Sequence, residues 1–351
     1  MKSIKKVAFH SLVGEGTKLQ IRDALSDTFV VVESDDYDYY FAMETIYSSH
    51  EAFSEFLSSK QDAIRFFCCG EALYPDMNLF DYALSTSLKD TNSRILFQPL
   101  LLTEVGYLFE DVKALDDSKL NISSESILAD KSRFCNFMYS NPRAHVMRDR
   151  LFYAISEYKR VDSLGRHLKN TDIVDTRFDD DWIKKSVEIK KPYKFTIAAE
   201  NAYFPGYITE KLFTSMMANS IPIYFGHSSV GDFYNKDSFI YIDVNDSVDT
   251  LVKRVAEIDN DNALYCSIMD QPWRTDSQIR QYYEDIDKYK QDLNEIFSMD
   301  ISKAKQRPSG TWADNIYPGF FEKLGELQTR NYKGYLRDTA NKLVSAFKGN
   351  K

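Results

Sequence analysis

Five polar side chains crowd one short stretch of the chain: Glu200, Asn201, Tyr207, Glu210 and Lys211. Their types suit an anionic ligand that also carries hydroxyls. Lys211 supplies a point charge and Asn201 a neutral donor, while the Glu210 carboxylate accepts two hydrogen bonds from a vicinal diol such as a ribose. If a helix starts at Thr209, its free backbone N–H groups and its dipole favour a phosphate at the same place. Upstream, Arg148 and Arg150 stand near the start of another predicted helix, where a cation opposes the dipole and a bound anion would compensate it. These residues alone point to a nucleotide-sugar or dinucleotide site. Taken singly, Thr209-Glu210-Lys211 also fits an exposed first turn, and Arg148 a surface ion pair with Asp149 worth little. No G-x-G-x-x-G follows a predicted strand, which argues against a Rossmann dehydrogenase.

The elements that would position these groups are legible from periodicity. Tyr193–Ala199 is a run of β-formers bounded by Pro192 and by Glu200-Asn201, so it reads as a buried strand. Pro205 and Gly206 break the chain. Thr209 caps a helix carrying Leu212, Phe213, Met216 and Met217, which ends near Asn219, and Ile221–Phe225 is a second apolar run closed by Gly226. A strand, loop, helix and strand in this order make a parallel unit, and ligands of such sheets sit outside the carboxyl ends of the strands.

Earlier in the chain, Val7–Phe9, Phe29–Glu33, Tyr37–Phe41 and Ile64–Cys69 read as strands, with helices over Lys18–Ala24 and Ala52–Leu57. That alternation is doubly wound α/β. Glu71 directly follows the last of these strands, and by itself a lone Glu there reads as a solvated loop residue. Arg133–Tyr139 is the next strand, and Asn141 and Pro142 open the helix that carries Arg148. Ser238–Asp243 is predicted as a strand, followed by helices over Ser247–Ile258 and Ile279–Phe297.

With 351 residues, 43% of them hydrophobic, the chain is long enough for two α/β domains with their own cores. A net charge of −9 argues against a nucleic-acid partner, whose binding rests on phosphate neutralisation. Cys68, Cys69, Cys135 and Cys266 lack metal-ligand spacing and read as reduced core cysteines. His10, His50, His145, His167 and His227 make no ligand pair, and the clusters Asp35, Asp36, Asp38 and Asp179–Asp181 read as solvated or capping carboxylates. No metal site is expected. Met1–Lys6 leads straight into a strand with no signal-peptide run, so a cytoplasmic protein is expected. Tyr332–Phe347 reads as a basic amphipathic helix that would fit either peripheral contact with an anionic membrane face or docking on the protein body.

Three blocks, in order, resemble the bacterial α-1,3/4-fucosyltransferase family. Gly70-Glu71, a short loop with Pro75, and Asn78-Leu79-Phe80-Asp81-Tyr82-Ala83 form the first. The second is the strand with Ser140-Asn141-Pro142, the basic helix at Arg148, then Lys159, Val161-Asp162 and the turn through Ser163, Gly165 and Arg166. Glu200-Asn201, Gly206-Tyr207, Thr209-Glu210-Lys211 and Ile221-Pro222-Ile223-Tyr224 with Gly226 make the third. The likeness runs from about residue 60 to about residue 275, where Asn262–Trp273 resembles the family's continuation. Ala72, Ala199 and Ala202 depart from the pattern, at positions where Asn, a bulky aromatic and a small hydroxyl residue are expected.

The resemblance implies a GT-B fold of α/β class: two facing Rossmann-like domains, an acceptor-side domain over 1–130 and a GDP-fucose-binding domain over 131–275. A C-terminal helical region over 276–351 would return to the first domain. It implies an inverting glycosyltransferase that moves L-fucose from GDP-β-L-fucose to a GlcNAc or glucose hydroxyl of a glycan such as N-acetyllactosamine or lactose. Bacterial relatives that modify lipopolysaccharide, giving Lewis-type products, are thought to use such a tail. GDP-fucose is then a co-substrate, and no cofactor is required. Carried over residue by residue, Glu71 is the general base, and Arg148, Asn201, Tyr207, Thr209, Glu210 and Lys211 bind the donor. Arg150 competes with Arg148 because one extra residue lies between Pro142 and Met147, and Ser163, Gly165 and Glu200 are further candidates. Two other readings stay open: a transferase for another nucleotide sugar, or a nucleotide- or glycan-binding protein without chemistry.

Overall fold

The computed structural model describes residues 2–89, 91–99, 117, 121–172 and 182–308. In chain order the strands are β1 (Ser3–Phe9), β2 (Phe29–Glu33), β3 (Tyr39–Met43), β4 (Ile64–Cys69), β5 (Tyr82–Ser85), β6 (Ile95–Phe97), β7 (Arg133–Phe137), β8 (Val161–Ser163), β9 (Tyr193–Ala199), β10 (Ile221–Phe225) and β11 (Ile240–Ile242). The α-helices are α1 (Glu15–Ser26), α2 (His50–Leu57), α3 (Ser124–Ala129), α4 (Met147–Tyr158), α5 (Trp182–Lys190), α6 (Glu210–Met217), α7 (Val230–Phe233), α8 (Val248–Asn260), α9 (Asn262–Met269), α10 (Asp276–Ser298) and α11 (Ile301–Ala304). The fold is α/β of the GT-B class, with two separate sheets.

The first sheet has the order β2-β1-β3-β4-β5-β6, parallel from β2 through β4, and the second the order β11-β10-β9-β7-β8, parallel throughout. Strands covered by helices on both faces read as near-continuous apolar runs. IRFFCC of β4 and IPIYF of β10 are accordingly buried at every position. On one face of the second sheet, Leu151 and Ile155 of α4 and Val255 and Ile258 of α8 pack against Phe137, Ile197 and Phe225. On the other, Leu212, Phe213 and Met216 of α6 and Ile183 of α5 cover Ala198 and Tyr224. Helix starts are capped by side chains that take an orphan N–H: Ser49 from Ala52, Ser123 from Ser126, Ser247 from Thr250 and Asp261 from Leu264.

The chain packs as two compact units. Met1–Cys69, Tyr74–Leu84 and the chain from Asp292 form one; Gly70–Leu73 and Ser85–Gln291 form the other. This division differs from the expected boundaries near 130 and 275. The run from Ser85 already belongs to the second unit, and one amphipathic helix, α10, carries the chain from the second unit into the first. Periodicity marks such a helix but not the point where its apolar face changes partner. In the first unit, Phe297 of α10 stacks on Tyr39 at 3.9 Å between ring centroids, and Asn294 donates to the Ala24 carbonyl.

Several local expectations need correction. The helix expected from Asn141 and Pro142 begins at Met147, and Val161–Ser163, read as part of a turn, is strand β8. The short strands β5 and β6 and the helices α3 and α5 gave no clear periodic signal. Cys68, Cys69 and Cys135 are buried free thiols, but Cys266 is only partly buried. Asp36 is exposed and meets Lys6 and Lys60 at 3.0 and 3.2 Å, an ordinary solvated carboxylate. Asp179–Asp181 and Tyr332–Phe347 lie outside the described residues. Among those described, no helix is long and apolar enough to cross a membrane.

Candidate active site

The second sheet reverses its winding between β7 and β9. From β7 the chain goes outward to β8, returns to β9 on the other side, and continues to β10 and β11. Such a switch point leaves a crevice at the carboxyl ends of the two strands. A cavity of about 470 Å³ opens there, within the second unit. Met138–Asn141 line it after β7 and Asn201 after β9, with Arg148 from α4, Ser186 and Lys190 from α5, and Thr209, Glu210, Lys211 and Thr214 around α6; Gly70, Glu71 and Tyr207 complete the wall.

Helix α6 is held at its start by a buried acid. Glu200 has no exposure and does not line the cavity. Its Oε1 accepts from the Thr209 backbone N–H at 2.8 Å, and its Oε2 accepts from the Thr209 hydroxyl at 2.7 Å and from Lys211 Nζ at 3.2 Å. Thr209 is the N-cap residue as expected, but its hydroxyl makes no capping bond: it donates to Glu200, and its oxygen accepts from Lys211 Nζ at 2.7 Å. Glu200 therefore positions the helix instead of touching a ligand directly. Burial works against the Lys211 ammonium, yet Glu200 and Glu210 outweigh it and hold it above its ordinary range. Glu210 feels the same balance in reverse: burial raises its carboxyl, and Lys211 and Thr209 prevail and keep it below the usual range.

Arg148 is 1% exposed and lies in the first turn of α4. Its guanidinium sits 4.5 Å from the Tyr139 ring centroid and donates to the Asn201 side-chain oxygen at 3.3 Å and to the Asn141 carbonyl. Among the described residues its Nε has no hydrogen-bond partner, and the nearest carboxylate oxygen, on Asp149, is 4.0 Å away. Burial lowers its pKa. A surface ion pair is therefore excluded by position. Arg150, two residues on, is exposed and does not line the cavity, so the geometry separates the two competing arginines.

Glu71 is exposed at the cavity wall, where the buried Tyr207 donates its hydroxyl to Glu71 Oε2 at 2.8 Å. Burial pushes the Tyr207 phenol well above its ordinary range, so it remains a donor. Gly206, at φ 71°, makes the turn before it: a Cβ would meet the Ser87 carbonyl oxygen at 2.1 Å.

Ser163 and Gly165 do not reach the cavity. The Ser163 hydroxyl is buried on the His167 carbonyl at 2.7 Å, and Gly165 lies so close to Tyr139 that a Cβ would be 2.0 Å from its carbonyl oxygen. Gly165 thus permits close packing under β7. The sequence reading missed Lys190, Thr214, Ser186, Trp182 and Tyr139. Trp182, Ser186 and Lys190 recur one helical turn apart on α5, a signal that needed the helix to be recognised first. The Tyr139 hydroxyl contacts the Ile197 carbonyl and the Ala199 N–H, tying β9 to the segment after β7. Among the described residues no group of three or more His, Cys, Asp or Glu is placed to hold a metal ion.

Comparison with known proteins gives this geometry a family. A protein of Acanthamoeba polyphaga mimivirus named as a fucosyltransferase is 31% identical over 219 residues, covering 61% of this chain and 34% of its own length. The α-(1,3)-fucosyltransferase FucT of Helicobacter pylori is 30% identical over 208 residues, covering 52% of this chain and 42% of its own. The chain thus spans well under half the length of these relatives. A crystal structure of an α1,3-fucosyltransferase with GDP-fucose superposes with a TM-score of 0.62 at 21% identity, covering 84% of this chain and 91% of that one, and so shares the fold. The family model "Glycosyltransferase family 10 (fucosyltransferase) C-term" matches residues 128–306, from just before β7 to the last described turn, so the chain belongs to the fucosyltransferases of glycosyltransferase family 10.

Proposed function

We propose that the protein is an inverting α-1,3-fucosyltransferase that uses GDP-β-L-fucose and a GlcNAc or glucose hydroxyl, as in N-acetyllactosamine or lactose. The observation that carries this reading is the cavity: Arg148, Lys211 and the first turn of α6 line the same space as Glu71. Glu71 removes the proton of the acceptor hydroxyl as its oxygen bonds to the fucose anomeric carbon, and the bond from that carbon to the phosphate oxygen breaks on the opposite side. Tyr207 fixes the base by its 2.8 Å hydrogen bond. Charge then grows on the departing diphosphate, where Arg148, Lys211 and the helix start absorb it. Asn201 orients Arg148, and Glu210 takes ribose or fucose hydroxyls. The same cations do the work for which other transferases use a metal ion, so no metal or cofactor is required in this scheme. The work is expected on the cytoplasmic side.

The test is GDP release from GDP-fucose in chelator-containing buffer, with and without each acceptor. Acceptor-stimulated release is expected, and Glu71→Gln should lower it about 10²- to 10⁴-fold while leaving GDP-fucose affinity nearly unchanged. Full turnover by that variant would move the base elsewhere. Binding of another nucleotide sugar in place of GDP-fucose would overturn the donor assignment.

A further inference from the structure

Lys190 closes helix α5 and is 6% exposed, yet among the described residues it makes no ion pair. Its ammonium donates to Thr214 Oγ1 at 2.7 Å, and that hydroxyl in turn donates to the Glu210 carbonyl at 2.7 Å. An ammonium has three donors, so this arrangement uses one. The end of α5 favours a cation through its dipole, but that interaction is modest beside the cost of a buried unpaired charge. Burial pushes the ammonium down to about 8.

Among the described residues the charges around the cavity balance in number, three cations against the Glu71, Glu200 and Glu210 carboxylates, but not in place. Three cations line it: Arg148, Lys190 and Lys211. Lys211 already meets Glu200 at 3.2 Å and Glu210 at 3.6 Å, and the Glu71 carboxylate is engaged by Tyr207. Among the described residues Arg148 has no carboxylate closer than Asp149 at 4.0 Å, and Lys190, which feels Glu210 through space, makes no ion pair; this suits a ligand carrying adjacent negative charges. Lys190 also stands within two hydrogen bonds of the first turn of α6, where a phosphate is favoured.

We propose that Lys190 is a third basic ligand to the diphosphate of the bound nucleotide, acting from α5 opposite the helix start of α6. This rests on the donor-site reading above and adds to it a residue from a helix outside the recognised motif blocks. The thiol-free, uncharged replacement Lys190→Met and the charge-conserving Lys190→Arg separate binding from folding.

Calorimetric titration with GDP, GMP and guanosine tests it. Lys190→Met should weaken GDP about tenfold or more, GMP less, and guanosine not at all, with Lys190→Arg recovering much of the loss. The ligand-free melting temperature of Lys190→Met should stay level or rise, since a buried unpaired charge is gone. A merely structural lysine gives the reverse: unchanged GDP affinity and a lower melting temperature. Equal weakening of GDP and guanosine would put Lys190 on the nucleoside and overturn the proposal. Wild-type protein that binds no GDP would remove the donor-site reading itself.

Should Lys190→Met fail to fold, wild-type GDP affinity against pH decides. Among the described residues the charged groups at the cavity are Glu210 and Lys211 on α6, Arg148 on α4, Glu71 in the wall and Glu200 behind Lys211. Lys211 is held above its ordinary range and Glu210 below, and burial raises the Tyr139 and Tyr207 phenols. Loss of the Lys190 proton is therefore the change expected to weaken GDP as pH climbs from about 7 to about 8.5, below the range in which the guanine ring itself loses a proton. A flat profile would contradict the assignment.

Discussion

Asp81 in the first unit and Arg148 in the second are hidden from solvent to the same degree, but their surroundings treat them differently. The Asp81 carboxylate accepts from the backbone N–H groups of Arg65, Gln306 and Arg307 at 2.8, 2.7 and 2.8 Å and pairs with the Arg307 guanidinium. Protein groups satisfy that charge. Arg148 is packed on Tyr139 and hydrogen-bonded to neutral oxygens; among the described residues its Nε has no partner and no carboxylate comes closer than 4.0 Å. Two buried charges of opposite sign thus teach opposite lessons. One is closed and holds the chain after α11 within the first unit; the other is left open at a cavity, where the proposed diphosphate would complete it.

Asp81→Ala tests the closed case and should have the largest effect on stability. Removing one partner leaves Arg307 buried without its counter-charge, at a cost of about 3–5 kcal/mol. Denaturant midpoints should fall accordingly, while GDP affinity of the folded fraction stays unchanged. A parallel loss of GDP affinity would erase the distinction. Lys211→Met falls between the two cases, because Lys211 both lines the cavity and pairs with the buried Glu200. It should cost about 2 kcal/mol of stability, since Glu200 keeps its Thr209 contacts, and also weaken GDP. If it changed stability alone, Lys211 would belong with Asp81 as a structural charge.

The third motif block was legible almost to the residue. Strand β9, the Thr209 N-cap and strand β10 fall where the sequence puts them, because buried β-runs bounded by Pro192, Gly206 and Gly226 have few other solutions. The choice between Arg148 and Arg150 could not be made from spacing. Two residues apart on one helix, they face opposite ways, and which of them is buried depends on the face that α4 packs on the sheet, the one carrying Leu151 and Ile155. Glu200 was misplaced for a related reason: residues at a strand's carboxyl edge face either the ligand or the next helix, and only packing decides which. Lys190 was invisible because Lys184, Lys185, Glu188 and Lys191 around it make α5 read as a solvated charged stretch. Gly165 and Gly206 were both visible as glycines, but only the carbonyls of Tyr139 and Ser87 show why each lacks a side chain.

The most direct test of the open charge is calorimetric GDP binding to Arg148→Ala beside Arg150→Ala. Loss of the buried guanidinium should weaken GDP by about 30- to 150-fold, the weight of one or two charge-assisted hydrogen bonds, with little change for Arg150→Ala. An Arg148→Ala protein that binds GDP like wild type would contradict the account, and the more so if Arg150→Ala were the damaging change.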